Sequence, residues 1–400
     1  MTEPQNTPEL RFPEFKNEWK IEKLGDLANI VRGASPRPIK DSKWFDDNSD
    51  VGWLRISDVT QQNGKIKFLQ QHLSTEGQKK TRVLYKPHLL LSIAASVGKP
   101  VINYVKTGVH DGFLIFMNPK FNLYFMFNWL EYFQLKWNKY GQPGSQVNLN
   151  SDLVKSQSIY IPDSYEEEKK IGEFFSKLDR HIELEEEKLE LLEAQKKSYM
   201  QMIFTQKIRF KDENGNNYPN WKSSQLGEIT KTFSGGTPKS NNSSYYNGDI
   251  PFIRSGEISK QFTELKISEN ALNNSSAKLV EKGDLLYALY GATSGEVAIS
   301  KIHGAINQAV LCIKSEESIN FLLNFLRLQK QHILKTYIQG GQGNLSASIV
   351  KGITIKLPCR EEQTKIGNFL DKVEILIEKQ SFKVDLLKQR KQGLLQKMFV

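Results

Sequence analysis

The sequence predicts an α+β chain in which two tandem-repeated α/β units are separated by two long helices that pair as an antiparallel coiled coil with pseudo-twofold symmetry. Three observations carry this expectation. Motifs recur at a drifting offset of about 200 residues, short apolar runs broken by Gly, Pro, Asn and Ser open each copy, and each copy closes on a charged, Pro-free stretch with heptad spacing.

The repeat begins at Trp19-Lys20 with Leu24-Gly25-Asp26-Leu27, which returns as Trp221-Lys222 with Leu226-Gly227-Glu228-Ile229, an offset of 202. Leu54-Arg55-Ile56-Ser57 aligns with Ile253-Arg254-Ser255-Gly256 when Arg55 is set on Arg254. Gln146-Val147-Asn148-Leu149 aligns with Gln342-Gly343-Asn344-Leu345, and Ile171-Gly172 with Ile366-Gly367 at an offset of 195. A steady drift from 202 to 195 is what a duplication with a few small deletions leaves behind. The boundaries that follow are 1–165 and 208–360 for the two globular units, and 166–207 and 361–400 for the helices.

Within each unit the apolar runs read as strands: Gly52 to Ile56 and Leu89 to Ile93 in the first, Ile250 to Arg254 and Asp284 to Leu289 in the second. Helical stretches follow, from Phe121 to Tyr140 and from Ser318 to Tyr337. Phe125, Trp129 and Phe133 recur every four positions, the spacing of a buried helix face. Asn148 and Asn344, beside glycines in matching loops, read as turn residues.

Steps of four and three from Ile171 pass through Phe175, Leu178, Ile182, Glu185, Leu189, Leu192, Lys196 and Tyr199 to Ile203. From Ile366 they pass through Leu370, Val373, Ile377, Gln380, Val384, Leu387, Lys391 and Leu394 to Met398. Eight of ten seam positions are apolar in each series, which predicts a coiled coil, about 50 Å long from Ile171 to Ile203 at about 1.5 Å per residue. Ser164 and Glu167 offer a capping box ahead of the first helix. The polar exceptions occupy matching seam positions. A parallel pairing would set Lys196 against Lys391, so the expected arrangement is antiparallel, with Glu185 near Lys391 and Lys196 near Gln380 fixing the register.

The formal net charge of +10 is unevenly spread. Residues 1–165 hold 21 Lys and Arg against 16 Asp and Glu, and residues 208–360 hold 18 against 12. The two helical segments together carry −1, with 8 against 11 and 8 against 6. Two basic modules on a spacing rod suit a polyanion read at two places, which describes duplex DNA better than a membrane or a small acidic substrate. No apolar run approaches a membrane span and the polar start lacks a signal-peptide core, so the chain is expected in the cytoplasm.

Sites for chemistry are not evident. No GxxxxGK[ST] loop occurs, and the six His form no HExxH pair. Cys312 and Cys359 are too few for a disulfide framework, and neither has His or Cys at metal-ligand spacing, so no metal site is expected. Asp163 with Glu167-Glu168-Lys169 imitates a nuclease signature but sits where the long helix opens, where acidic residues favour the helix macrodipole. Two other classes stay open: a stand-alone DNA-modifying enzyme with an unrecognised site, and a coiled-coil adaptor that does not read DNA.

Together, the Trp-Lys and Leu-Gly-Asp/Glu repeat, Ser234-Gly235-Gly236-Thr237-Pro238, Ile306-Asn307-Gln308, and Leu357-Pro358 followed by Glu362-Gln363 and Ile366 resemble the DNA-specificity subunits of type I restriction-modification enzymes. The first copy departs from this pattern, with Arg32-Gly33-Ala34-Ser35-Pro36, His110-Asp111 and Glu168 at the matching places. The resemblance implies a subunit without catalysis or cofactor of its own. Each globular unit would be a target recognition domain reading half of a bipartite, asymmetric site in double-stranded DNA. The paired helices would space the halves and dock two methyltransferase subunits that bind S-adenosylmethionine, with restriction/translocase subunits joining the larger complex.

Base reading needs forked donors and amides at loop tips. The candidates are Arg32, Arg37, Lys43, Arg55 and Ser57 in the first unit, and Thr237, Lys239, Arg254, Ser255, Tyr290 and Thr293 in the second. Arg55 and Arg254 lead, because both copies place Arg at the end of an expected strand. For each candidate a phosphate contact or a solvated loop residue is the competing reading. Opposed units on such a rod should face half-site centres about one helical turn of DNA apart, ~34 Å.

Overall fold

A computed structural model describes residues 6–94, 96–140, 149–337 and 344–400. Asn148, with Gln146, Val147, Gln342 and Gly343 of the repeat, lies outside the described residues. The chain divides into two compact units, Met1–Glu186 with Phe382–Val400, and Glu187–Ser381. The division runs through both long helices, Tyr165–Phe204 and Arg360–Met398, so each unit owns part of each helix.

In the first unit, Lys20–Lys23 pairs antiparallel with Ser158–Ile161. A five-stranded sheet runs in the order Asn29–Arg32, Phe113–Met117, Leu89–Ser92, Pro100–Asn103, Lys65–Ile66, and a three-stranded sheet in the order Gly52–Leu54, Thr107–Val109, Arg82–Leu84. The second unit repeats the plan. Lys222–Gln225 pairs with Thr354–Leu357, and two four-stranded sheets follow. One runs Lys231–Ser234, Val310–Lys314, Leu285–Ala288, Val297–Ile299; the other runs Lys266–Ile267, Ile250–Ile253, Gly304–Ile306, Lys278–Val280. The repeated Leu-Gly has a steric cause. A Cβ on Gly25 would lie 3.0 Å from the Cβ of Lys155, and one on Gly227 would lie 3.0 Å from that of Lys351.

Each core is a helix laid on these strands and closed by the ends of the long helices. Phe125, Trp129 and Phe133, on the helix Leu123–Phe133, are buried as their spacing predicts, Trp129 stacking on Phe133 with ring centroids 4.7 Å apart. Ile171 and Phe175 join them from one long helix, and Leu395, Met398 and Phe399 from the other. In the second unit Phe321 and Phe325, on the helix Ile319–Tyr337, meet Met200, Ile203, Ile366 and Leu370.

The repeated tryptophan is explained at the start of the long helices. Glu167 accepts from Arg11 Nε and Nη2 (2.6 and 2.8 Å) and from Trp19 Nε1 (3.2 Å). Glu362 accepts from Arg209 Nε and Nη2 (3.1 and 2.7 Å) and from Trp221 Nε1 (3.1 Å). Glu167, expected to reach back to Ser164 in a capping box, is instead buried against the half-buried guanidinium of Arg11. The acidic run therefore has a structural role, because burying a carboxylate demands such a partner.

Every one of the twenty seam positions is buried or half-buried, which bears out the heptad reading. Within the first unit Asp179 meets Lys391 and Glu186 meets Lys388, both at 2.7 Å; within the second Lys196 meets Glu374, and Tyr199 packs on Phe369. Rising numbers on one helix meet falling numbers on the other, so the pairing is antiparallel in each unit. The expected polar partners need correction. Lys391 is held by Asp179 and Glu131 instead of Glu185, and Lys196 by Glu374 instead of Gln380, six residues away in both cases. Glu185 takes Lys383 at 2.7 Å and His181 at 3.3 Å. Heptad spacing fixes which face is apolar but not the axial stagger, which follows the packing of Phe399 on Phe125 and Phe175. Long lysine stems then reach the nearest carboxylate beside the seam.

Burial alone would lower the Lys391 pKa, but Glu131 and Asp179 outweigh it and hold the ammonium charged. Lys391→Ala should destabilise the first unit by about 1–2 kcal/mol, a moderate figure because Lys65 also serves Asp179, at 2.9 Å. Urea unfolding followed by hydrogen exchange in the first-unit peptides measures this, and an unchanged midpoint would show that the lysine contributes nothing.

Candidate nucleic-acid interface

Arg55 and Arg254 end the strands Gly52–Leu54 and Ile250–Ile253, and each occupies the N-cap of a short helical turn, Ile56–Gln61 or Ser255–Glu257. Three residues on stands a buried acid. Asp58, 2% exposed, takes Arg55 Nη2 at 3.0 Å and Nε at 3.3 Å, and also the Arg55 backbone N–H at 2.8 Å. Glu257, 4% exposed, takes Arg254 Nε at 2.9 Å and Nη2 at 3.3 Å. A second partner approaches each guanidinium from outside: Gln70 Oε1 at 3.5 Å from Arg55, and Glu264 beside Arg254.

These acids orient the arginines. A guanidinium has five donors in a planar fork, and tying one edge to a fixed carboxylate leaves the remaining donors aimed outward at low entropic cost. Burial would raise the Glu257 pKa, but the Arg254 side chain and the backbone N–H groups of Glu264 and Arg254 outweigh it and hold it below the usual range. Glu257, followed by Glu264, raises that of Arg254 in turn.

A second shared construction lies on the adjoining loops. Ser35 donates to Asp111 Oδ1 at 2.8 Å, and Thr237 donates to Gln308 Oε1 at the equivalent place. His110 Nδ1 accepts from the Gly112 N–H at 2.8 Å, while Asn307 Oδ1 accepts from the Ala309 N–H at 3.1 Å. The first copy's departures in sequence thus keep the same contacts with different chemistry. Burial, followed by the charges of Arg32 and Arg37, lowers the His110 pKa against the pull of Asp111. Both loops need glycine, since a Cβ on Gly33 would come within 2.2 Å of the His110 carbonyl oxygen and one on Gly235 within 1.8 Å of that of Ile306.

The remaining candidates divide. Arg32 Nε donates to the Asp111 carbonyl at 2.6 Å and Arg37 Nη2 reaches Asp111 Oδ2 at 2.9 Å, so both gather with Ser35 around Asp111 on the first unit's surface. Lys43 stands apart, on Asp41 at 2.9 Å and over the Trp44 ring. Ser57 is exposed in the turn after Arg55, and Ser255 is half-buried in the turn after Arg254. Thr237 joins Gln308, and Lys239 is exposed beside it. Tyr290 and Thr293 are half-buried, Tyr290 packing on the core.

Sequence reasoning missed Asp58, Glu257, Gln70 and Glu264, and quoted Asp111 and Gln308 only as motif residues without placing them at the site. The signal available was an acid three residues after each repeated arginine. In the first unit a cavity of about 270 Å³ opens beside the guanidinium, lined by Ile39, Phe45, Trp53, Arg55, Gln71 and His110 among others. Among the described residues no group of three or more His, Cys, Asp or Glu could hold a metal ion, and no helix is long and apolar enough to cross a membrane. The surface can therefore present forked and amide donors to a large polar ligand at two similarly built places.

Comparison with known proteins agrees. The sequence pattern of the family described as the type I restriction modification DNA specificity domain matches residues 16–194 and 218–384. A putative type I restriction enzyme MjaX specificity subunit of Methanocaldococcus jannaschii is 25% identical over 402 residues, covering 94% of this chain and 91% of that one. The EcoR124I/EcoR124II specificity subunit of Escherichia coli is 27% identical over 167 residues, 39% of this chain and 41% of its own. In fold, the chain is similar to the solved S subunit of a type I restriction-modification system from M. genitalium. The TM-score is 0.61 at 14% identity, with 98% of this chain and 99% of that one covered. A chain from a structure concerning assembly and conformational transition of a type I system gives 0.60 at 18% identity, with 95% and 97% covered.

Proposed function

Since the chain belongs to the type I restriction-modification DNA specificity family and carries two copies of its domain, we propose that each copy reads one half of a bipartite, asymmetric sequence in duplex DNA. The observation that carries this reading is the arginine held by a buried acid at the same strand end in both units, among neighbours that differ. Two similar frames with different side chains should read different half-sites, which makes the target non-palindromic. The recognition domains span 1–165 and 208–360, and the helical segments 166–207 and 361–400 space them and dock two methyltransferase subunits. Catalysis, and the S-adenosylmethionine it needs, reside in those partners; restriction/translocase subunits complete the assembly, which works in the cytoplasm. Among this chain's own residues, Arg55 and Arg254 read bases. Arg32, Arg37, Lys43, Ser57, Thr237, Lys239, Ser255, Tyr290 and Thr293 supply further base or phosphate contacts around them.

Arginine recognises guanine through its O6 and N7 acceptors, a pair that contributes about 1–3 kcal/mol of discrimination. Arg254→Ala should therefore relax one position in one half-site, while the other half and the spacing stay fixed. Genome-wide mapping of methylated sites with wild-type and variant chains reads this directly. A methylated motif identical in both would remove Arg254 from the reading set, and methylation independent of this chain would sink the proposal as a whole.

A further inference from the structure

The residues that flank the two arginines repeat a feature no motif marks. Phe68 is 56% exposed and Phe262 is 72% exposed, on loops of the two recognition units. The pairing of the strands makes them equivalent. The Trp53 N–H donates to the Gln71 carbonyl at 2.7 Å, and the Phe252 N–H to the Leu265 carbonyl at 3.0 Å. Gly52 bridges His72, as Pro251 pairs with Lys266. In this register Phe68 falls on Phe262, and Gln70 falls on Glu264.

In each loop the phenylalanine lies two residues before the side chain that touches the outer edge of the arginine. The residue between, Leu69 or Thr263, is less exposed than its neighbours. The ring and the arginine's partner are thus both exposed, one on either side of a more shielded residue. Both loops are fixed from the short helical turn. Gln62 Oε1 accepts the backbone N–H groups of Lys67 (2.8 Å) and Phe68 (3.2 Å), its amide donates to the Phe68 carbonyl (2.8 Å), and Glu257 accepts the Glu264 N–H at 2.9 Å. A bare aromatic ring on a restrained backbone, beside an oriented guanidinium, is costly to leave in water and cheap to immobilise on binding.

We propose that Phe68 and Phe262 are wedges that enter the base stack of duplex DNA, one in each half-site, next to the base pair read by the neighbouring arginine. The inference rests on the DNA-reading function proposed above. Duplex DNA is favoured as the occupant because each ring shares a loop with the outer partner of an arginine, and exposed Lys67 and Gln70 in the first unit and exposed Lys260 and Lys266 in the second lie along those same loops. Apolar side chains inserted between base steps unstack and kink the duplex, most readily at pyrimidine–purine steps. Specificity would then include a deformable step beside each arginine, read without a hydrogen bond.

The test uses the full chain assembled with its methyltransferase on a duplex bearing the mapped target, with 2-aminopurine placed in turn at each position that is not methylated. In wild type, fluorescence should rise at one step in each half-site. Phe68→Ala should abolish only one of these signals and Phe262→Ala only the other, each weakening specific binding roughly tenfold while the complex assembles normally. Signals unchanged in both variants would overturn the wedge while leaving base reading by the arginines intact. Loss of the methyltransferase from the complex with both DNA signals retained would overturn it too, assigning the rings to protein docking. A wild-type complex that does not discriminate its target from random duplex would instead remove the reading on which the wedge rests.

Discussion

Glu362→Ala should cost the second unit about 3–5 kcal/mol, a large part of the stability of a domain this size. Glu362 is 0% exposed, and its two oxygens take Arg209 Nε and Nη2 together with Trp221 Nε1. Removing the carboxylate leaves the guanidinium with only the carbonyls of Tyr218 and Pro219 and leaves the indole N–H unbonded. The cost is dominated by the abandoned partners, not by the pair's own attraction, because the guanidinium loses its counter-charge and the indole N–H is left without an acceptor. Glu362→Gln separates these contributions. It keeps an acceptor for Trp221 but gives up the charge, so its penalty should fall near half that of alanine. Hydrogen exchange under increasing urea reads the two units separately in one sample, with the first unit, whose Glu167 carries the same contacts, as the internal control. A loss below about 1 kcal/mol would mean that water reaching the half-buried Arg209 screens the pair despite the burial of Glu362.

The duplication was legible because the repeated residues make contacts that few others can replace. Trp19 and Trp221 must donate to an acid at a helix start, and Gly25 and Gly227 sit where an added Cβ would crowd a lysine stem at 3.0 Å. The coiled-coil seam was legible for the same reason, since each of its positions is shielded from water. Register was not, because four-and-three spacing is unchanged when one helix slides past the other, and the partners of Lys196 and Lys391 depend on that slide.

At the candidate interface the arginines were found and their supports were not. Asp58 and Glu257 follow at the spacing of ordinary helix-start acids, and only burial distinguishes them from solvated ones. The equivalence of Phe68 and Phe262 was hidden by an insertion. Arg55 precedes its phenylalanine by 13 residues and Arg254 by 8, because the first unit has a longer helical turn, Ile56–Gln61 against Ser255–Glu257, and adds the strand Lys65–Ile66, which joins the larger sheet beside Pro100–Asn103. An alignment anchored on the arginines therefore sets the two rings five residues out of register. Strand pairing restores the match.

Glu168→Gln should remove much of the pH dependence of the first unit's stability. Glu168 is 4% exposed, and its Oε2 accepts the Asn122 N–H at 2.6 Å. Burial, opposed by that N–H and by Lys20 and aided by Glu167, pushes its pKa up to about 7 from 4.5. A carboxyl whose pKa is raised on folding binds more protons in the native state than in the unfolded one between those two values. Its contribution is thus fully present below about pH 4.5 and is lost as pH rises through about 7, a change on the order of 2–3 kcal/mol. The second unit already holds glutamine at this place, where Gln363 Oε1 accepts the Ser318 N–H at 3.1 Å and its amide donates to Glu317 and the Pro358 carbonyl. A neutral acceptor therefore fits the frame. Wild type and Glu168→Gln should unfold at similar urea concentrations at pH 5, and the variant should be more stable by about 2 kcal/mol at pH 8. First-unit unfolding curves that stay parallel across that range would show that Glu168 titrates as it does in the unfolded chain, its burial offset by the Asn122 N–H and Lys20.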